Sequence, residues 1–347
     1  MDSPRIAVIG AGIIGLTSAV ALQEQFPSLP ITVIAEKFSP ETTADGAAGL
    51  WEPHLTGSTD VKLVRKWSHA TYNMFQELWQ SKQGSKVGLK FMPLTCVSNQ
   101  EFNEDVKILH QGIPEYKVLN GNQLAKLSRE HGNEYRSGFE FNTFTCVPRK
   151  LMQHLLAKFV SRGGRVEQRK VASLRELALE GYSVVVNCPG LQAEELVADK
   201  NMFPIRGQVV MVQAPWQQEV LVQHSDESSY VVIPNQDSVF LGGTSQKNNR
   251  DITVNPSDSR KILDECYKMI PRLKTAKILK EWVGLRPGRI NVRLELGDSM
   301  TNSNGYTTFV VHNYGHGGSG VTLSWGCALE VVALLRDVEL IRSHSKL

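Results

Sequence analysis

The 347-residue chain has few cysteines, and no pattern joins them. Cys96, Cys146, Cys188, Cys266 and Cys327 are odd in number, form no CxxC and match no zinc spacing. A disulfide scaffold and a metal site are therefore not expected, and reduced thiols in an intracellular protein are. No run is long or apolar enough to cross a membrane. Neither sign of charge dominates: 38 Lys and Arg against 35 Asp and Glu leave +3, which predicts no nucleic-acid or acidic partner. Internal repeats and low-complexity tracts are absent. The first strand-like run begins so near Met1 that no leader peptide is expected. With 41% hydrophobic residues, the chain is long enough for two intertwined lobes around a real core.

The stretch from Ile6 to Glu36 organises the rest. It reads as an apolar strand, Ile6 to Ile9, then Gly10-Ala11-Gly12-Ile13-Ile14-Gly15, a helical run Leu16 to Gln23, a second strand Ile31 to Ala35, and Glu36. Gly10 permits the sharp turn, Gly12 lets the backbone approach a pyrophosphate, and Gly15 lets the helix pack close to the strand. The helix start offers free N–H groups and a positive dipole end. Glu36, at the tip of the second strand, is placed to hold a ribose hydroxyl pair and argues against a 2′-phosphate. The motif predicts a dinucleotide and does not separate FAD from NAD, so an NAD-dependent dehydrogenase remains an alternative.

Lys37 to Trp51 is small, polar and glycine-rich, a loop expected along the cofactor, with Thr42 and Thr43 as phosphate donors. Val64, Trp67, Thr71, Phe75 and Leu78 recur at helical spacing, with Trp67 read as core. Short strand-like runs, such as Leu89 to Val97 and Gly138 to Val147, fill 87–147. Pro148 opens a helix closed by Gly163-Gly164. Strands are expected at Arg165 to Val171, Tyr182 to Asn187, Gln208 to Val212, Tyr230 to Ile233 and Ser238 to Leu241, the last two joined by a hairpin turn at 234–237. Asp258 to Ile270 reads as a helix. Phe309 to Gly320 leads into another, Val321 to Leu340, so a second helix N-terminus follows a second glycine loop. The predicted fold class is α/β, a Rossmann-like dinucleotide-binding domain (1–86, 148–205, 286–340) interleaved with a mostly antiparallel β-sheet substrate domain (87–147, 206–285), and a tail at 341–347. Ser345-Lys346-Leu347 reads as a peroxisomal address for an import receptor.

The block Val310-Val311-His312-Asn313-Tyr314-Gly315-His316-Gly317-Gly318-Ser319-Gly320 resembles the signature of the D-amino-acid and D-aspartate oxidases. Ala47-Ala48-Gly49-Leu50-Trp51, Arg206-Gly207-Gln208 and Gly284-Leu285-Arg286-Pro287 join it in family order. The resemblance spans essentially the whole chain. It implies FAD, a D-amino acid and O2 as reactants, hydride transfer from the α-carbon, and hydrogen peroxide as a product. It implies FAD contacts from the Gly10–Gly15 loop, Glu36, Lys37, Thr42, Thr43, Gly49, Leu50, Val171, His316, Gly317, Gly320, Val321 and Thr322. It implies that Arg286 grips the substrate carboxylate through two parallel hydrogen bonds. A backbone carbonyl at Gly318 is implied to accept from the amine. His316 and His312 are read as hydrogen-bonded around the flavin and not as bases, and Arg289 and Arg293 as structural or solvated. Oligomeric state is left open, a homodimer included.

Several positions depart from the family pattern. Where an aromatic is usual, Val231 stands beside Tyr230; either a bulge turns Tyr230 inward or that contact is absent. Gln223 to Ser229 reads as a short lid. The turn after Asn187-Cys188 carries Pro189, of unassigned effect. Substrate choice divides on the remaining pocket positions. His54 and the Phe203–Gln208 stretch resemble the D-aspartate branch, whereas Gly318-Ser319 has the order of the D-amino-acid branch. Ser245 stands where that first branch has an arginine, and neither Val222 nor Gln223 is basic. A second substrate carboxylate would be buried without a cation unless Lys247 or Arg250 folds back, so neutral D-amino acids are expected over acidic ones. Glu52 either favours a basic side chain or is a solvated loop carboxylate. A histidine near its ordinary pKa of about 6.5 is partly charged at neutral pH, so acidic substrates are expected to bind better beside His54 as pH falls.

Overall fold

The computed structural model describes residues 3–225, 229–301 and 305–338. The chain opens with β1 (Ile6–Ile9), α1 (Ile13–Gln25) and β2 (Ile31–Ala35), then α2 (Val61–Gln80). Next come β3 (Lys90–Ser98), α3 (Glu104–His110), β4 (Lys117–Val118), α4 (Gly121–His131) and β5 (Ser137–Thr145). The middle runs α5 (Pro148–Ser161), β6 (Arg165–Gln168), α6 (Leu174–Leu179), β7 (Val184–Asn187), α7 (Ala193–Leu196) and β8 (Met202–Gln213). Then follow β9 (Val220–His224), β10 (Ser229–Pro234), β11 (Val239–Gly242), β12 (Gln246–Lys247) and α8 (Pro256–Met269). The last elements are β13 (Lys277–Arg289), β14 (Arg293–Leu296), β15 (Met300–Thr301), β16 (Thr307–Tyr314) and α9 (Gly320–Arg336).

The strands form two sheets. The first has the order β14-β16-β7-β1-β2-β6, with β15 beside β16; β1, β2, β6, β7 and β16 run parallel. Its central strands are buried along their whole length, which is why they read as unbroken Ile/Val runs. The second has the order β12-β8-β11-β10-β9-β3-β5-β4 with β13 on the far edge of β8, antiparallel except where β3 meets β9. The fold is therefore the expected α/β arrangement, a Rossmann-like parallel sheet with an interleaved, mostly antiparallel one.

Helices lock the first sheet. α2 buries Val64, Trp67, Thr71 and Phe75 along one stripe, and Asp60 caps it by accepting from the Lys62 N–H. Gly326 of α9 lies against the Trp67 backbone so closely that a β-carbon would meet its oxygen at 2.1 Å. Trp67 is core, packed with Val292, Leu323 and Cys327.

Two sequence expectations change. The 87–147 stretch contains α3 and α4 besides its strands, each announced by an asparagine N-cap, Asn103 and Asn120. Lys277–Arg289 forms one long strand paired with β8, so residues 286–289, grouped by sequence with the dinucleotide-binding domain, extend the second sheet; Pro287 is tolerated because β13 is an edge. The expected helix end at Leu340, the tip of the 223–229 lid and the C-terminal tripeptide lie outside the described residues.

Arg206 anchors the second sheet while only 1% exposed. All five of its N–H groups are used. Nε donates to the Asp251 carbonyl, Nη1 to Gln246 and Asp258, and Nη2 to Gln208 and the Thr253 carbonyl, at 2.7–3.0 Å. The charge thus binds the 246–258 segment onto β8. Arg206→Met removes the charge partner of Asp258, which keeps only the Gln246 amide, and takes the donor from the part-buried Asp251 and Thr253 carbonyls, so unfolding in urea is expected to show a loss of about 3–5 kcal/mol; an unchanged midpoint would show that the segment is held by its own backbone.

Candidate active site

A cavity of about 680 Å3 runs between the two sheets. At one end it is walled by the Gly10–Gly15 loop, where β1 hands over to α1. The glycines answer to contacts. A β-carbon on Gly15 would lie 1.9 Å from the Gly10 carbonyl oxygen, and one on Gly10, at φ +96°, 2.4 Å from that of Cys188. A β-carbon on Gly12 would meet no protein atom within 4 Å. The room above Gly12 is the cavity itself, at the N-terminus of a thirteen-residue helix, which suits a pyrophosphate. Ala11, Ile13 and Ile14 line the same wall. Glu36 and Lys37 follow β2, and the Gln192 side chain donates to Glu36 at 2.9 Å, orienting that carboxylate; Val171 and Pro189 complete this end. Thr42 and Thr43 both line the cavity, but the Thr42 hydroxyl already donates to Asp45 at 2.7 Å.

The middle of the cavity is made by two distant segments closing on each other. Ser319 accepts from the His54 N–H and donates to the His54 carbonyl, both at 2.6 Å. The Thr322 hydroxyl accepts from the Glu52 N–H and faces the Leu50 and Glu52 carbonyls. Gly317, at φ +56°, has room for no β-carbon, since the Leu55 carbonyl oxygen would lie 2.0 Å away. Ser319 and Thr322 were expected in the pocket and at the cofactor; both instead turn from the cavity and pin the 50–55 backbone. Their action is to aim Glu52 and His54 into the cavity, where Gly49, Leu50, His316, Gly317, Gly318, Gly320 and Val321 also sit. His316 is buried, and its Nε2 has no partner among the described residues.

The second sheet forms the floor. The Arg286 guanidinium crosses Gly207, where a β-carbon would lie 2.2 Å from Nη1, and donates from Nη1 to the Thr244 carbonyl at 2.9 Å. Among the described residues it has no ion-pair partner. Val231 faces the cavity with Val222; Tyr230, one residue earlier on a regular strand, points the other way into the cluster with Val210, Leu241 and Ile262. No bulge turns Tyr230 inward, so the aromatic contact is absent. Ser245 lines the cavity, whereas Lys247 is exposed on β12 and Arg250 pairs with Glu194. Neither supplies a second cation.

His54 overturns the charge expectation. Burial first, then the charge of Arg286 and the neighbouring His224, push it down to about 3, so it is neutral at pH 6 as at pH 8. Burial alone takes His316 to about 3. Glu52 is no solvated carboxylate: His110, from α3, faces both its oxygens at 3.1 Å. That histidine had no signal in the sequence beyond its place near the end of a capped helix. Arg289 and Arg293 are structural, both reaching the buried Asp199, which also accepts from Tyr314.

A family model described as FAD dependent oxidoreductase (DAO) matches residues 5–334. A D-amino acid oxidase of Dugesia ryukyuensis is 34% identical over 342 residues, covering 97% of this chain and 98% of its own. A D-aspartate oxidase of Homo sapiens is 33% identical over 337 residues, covering 97% and 96%. Among solved structures, glycine oxidase from Geobacillus kaustophilus superposes with a TM-score of 0.73 at 20% identity, over 96% of this chain and 95% of that one. L-proline dehydrogenase from P. horikoshii gives 0.74 at 16%, over 96% and 93%. At such identities the structural likeness speaks for the fold alone.

The cavity fits FAD. The open space over Gly12 would take the pyrophosphate and Glu36 the ribose, with Lys37, Thr43 and Val171 beside them. The unpartnered Nε2 of His316 and the Gly317–Val321 turn would meet the other half.

Two outcomes follow from this geometry. Gly207→Ala should displace the Arg286 guanidinium and raise substrate KM more than tenfold while the protein still binds FAD; an unchanged KM would show that the guanidinium has other room. The second concerns acid. His54, His316 and His312, the last at about 4 through burial and then Arg293, stay neutral when folded and charge near pH 6.5 when unfolded. Between those values the unfolded chain binds more protons, so their contribution to stability is lost as pH falls from about 6.5 toward 4. The flavin-free protein should show a falling thermal midpoint across that window, and His312→Asn should flatten the slope.

Proposed function

We propose, from a chain that belongs to the DAO family of FAD-dependent oxidoreductases, that the Arg286 end of the cavity oxidises D-amino acids. The observation that carries this is a guanidinium, held over Gly207, facing the cavity with no paired anion among the described residues. Such a group binds a carboxylate by two parallel hydrogen bonds and so sets the direction of the α-carbon. Overall, the D-amino acid loses a hydride from Cα and a proton from its amine. Its two electrons pass to O2 with two protons as hydrogen peroxide, and water converts the imino acid to a 2-oxo acid and ammonia. When bound, FAD supplies the hydride acceptor and the route to O2. The chain's residues position and exclude: the Gly318 turn stands beside His54, and the neutral histidines add no competing cation.

Neutral side chains are favoured over a second carboxylate. The other cations lining the cavity, Lys37, Arg169 and Lys170, stand at the nucleotide end, and Arg286 is the only one at the second sheet among the described residues. Identities of 34% and 33% to relatives of the two named kinds do not choose between them; the charge of the pocket does. Ser345-Lys346-Leu347 fits an address read by the peroxisomal import receptor, a compartment suited to an enzyme that makes peroxide.

A peroxide-coupled screen of D- and L-amino acids tests the reaction. D-Ala and D-Met should exceed D-Asp in kcat/KM at pH 8, and L-enantiomers should be silent; good turnover of D-Asp with none of D-Ala would reverse the side-chain preference. Arg286→Leu should keep FAD and lose substrate capture by roughly 3–5 kcal/mol in kcat/KM. Unaltered kinetics in that flavin-loaded variant would remove Arg286 from the site. Deleting Leu347 should leave activity intact and move the protein to the cytosol; continued import of the truncated protein as the sole copy would place the signal elsewhere.

A further inference from the structure

Glu52 is held from behind by a charge that never reaches the cavity. The His110 ring lies 1% exposed in a shell of Tyr116, Phe139 and Phe141. Its Nδ1 is 2.7 Å from the Val106 carbonyl, which only accepts, so Nδ1 carries a proton. Its Nε2 is 3.1 Å from both Glu52 oxygens; burial works against the charged ring, but the Glu52 charge and hydrogen bond outweigh it and raise the ring above its ordinary pKa, which favours the second proton on Nε2. The pair is an imidazolium and a carboxylate. Thr322 fixes the Glu52 backbone in addition. A buried ion pair in an aromatic shell is a poor way to stabilise a core. This one leaves a carboxylate on the cavity wall, with lone pairs still open to a donor arriving from the cavity.

Position says which donor. The Arg286 guanidinium lies over Gly207 of β8, while Glu52 lies near enough to His224 of β9 and Cys96 of β3 to bias both. From β8 to β9 the sheet order is β8-β11-β10-β9, three strand spacings, or about 14 Å. An α-amine stays within a few ångströms of its own carboxylate and leaves most of that distance uncrossed. A side chain of four or five bonds at about 1.5 Å each, with a polar contact of about 3 Å at either end, crosses it. Between the two charges the floor is Gly242, Val231 and Val222, a surface for methylenes and not for polar groups.

We propose that Glu52, backed by His110, is the side-chain-reading end of the substrate pocket and selects D-amino acids with long cationic side chains, arginine- and lysine-like. This rests on the reading of Arg286 as the carboxylate anchor. It makes Glu52 a specificity residue for the same reaction.

The test uses the flavin-loaded protein and matched substrates. D-Arg is compared with D-citrulline, its uncharged isostere, and D-Lys with D-norleucine, which lacks the terminal amine. Wild-type protein should favour each cation by about tenfold or more in kcat/KM, the scale of a charge-assisted contact. In Glu52→Gln the D-Arg to D-citrulline ratio should fall toward one. Equal rates on D-Arg and D-citrulline in the wild type, or a ratio that Glu52→Gln does not move, would overturn the role of Glu52 while D-norleucine turnover leaves the oxidase reading intact. Absence of turnover on all four and on D-Ala overturns the reaction itself, and this inference with it. The wild-type comparison decides alone if the variant fails to load FAD.

Discussion

A cation without an anion is the constraint around which this molecule is arranged. The Arg286 guanidinium is desolvated enough for burial to lower its pKa, and no carboxylate among the described residues pairs with it, which is costly unless a ligand completes it. Its place exists because other side chains are missing. Gly207 has no β-carbon where Nη1 and Nη2 lie. On β13, the strand that carries Arg286, Gly284 makes room for the Trp282 ring, and Gly46 lies against the same ring, which ties the Thr43–Gly46 turn to β13. The Thr244 carbonyl that accepts from Arg286 is steadied in turn, because the Thr244 hydroxyl accepts from the Gln208 N–H. Gln208 is itself held by Arg206, Asn255 and Ser259. One buried guanidinium, fully satisfied, thus steadies the strand that carries the seat of another, deliberately left open.

The opposite wall follows a different logic. The 50–55 segment has no regular secondary structure beyond an isolated bridge at Leu50, so it cannot orient its own side chains. Its backbone groups are satisfied by Ser319 and Thr322 at the start of α9, which lends the rigidity of a seventeen-residue helix to a loop. The glycines at 317 and 318 allow that approach, since Leu55 and His54 occupy the space a β-carbon would take. The signature block at the end of the chain serves the pocket as much through this clamp as through its own face.

What could be read from residues alone follows contact range. Strand, glycine turn and helix at 6–36 are local: Gly15 answers to Gly10 and Gly12 to the cofactor space, so spacing carries the information, while the Cys188 carbonyl that also constrains Gly10 is distant and leaves no local sign. The pairing of Tyr230 with Val231 was open because alternation says that one faces in but not which; the register with β9, set by Val222 and Val231 together, decides it. Ser319 and Thr322 were assigned to the ligands because their partners lie 265 to 272 residues away, and no local pattern announces a side chain clamping a distant backbone. His54 was given its ordinary charge because burial and the nearness of Arg286 are properties of the folded cavity. His110 carries no sequence signal for the same reason.

These placements bear on which side chains the cavity refuses. A lone guanidinium attracts any α-carboxylate equally, so it carries no preference among amino acids. Preference has to come from the charges met after that anchor is made. His54 and His224 are both pushed toward neutrality, mainly by burial, and therefore offer a second carboxylate little more than dipoles. Glu52 offers it a like charge, and His110, behind the carboxylate, is too far from the cavity to reverse the sign there. Two carboxylates sharing a desolvated wall raise each other's proton affinity, as like charges in close sites do. A dicarboxylate substrate could thus enter only by bringing a proton with it, and near neutral pH it seldom has one to bring. On the proposed reading, the exclusion of acidic side chains would be a consequence of how the Glu52 wall is built, and it would persist even if a cationic residue were added at Ser245.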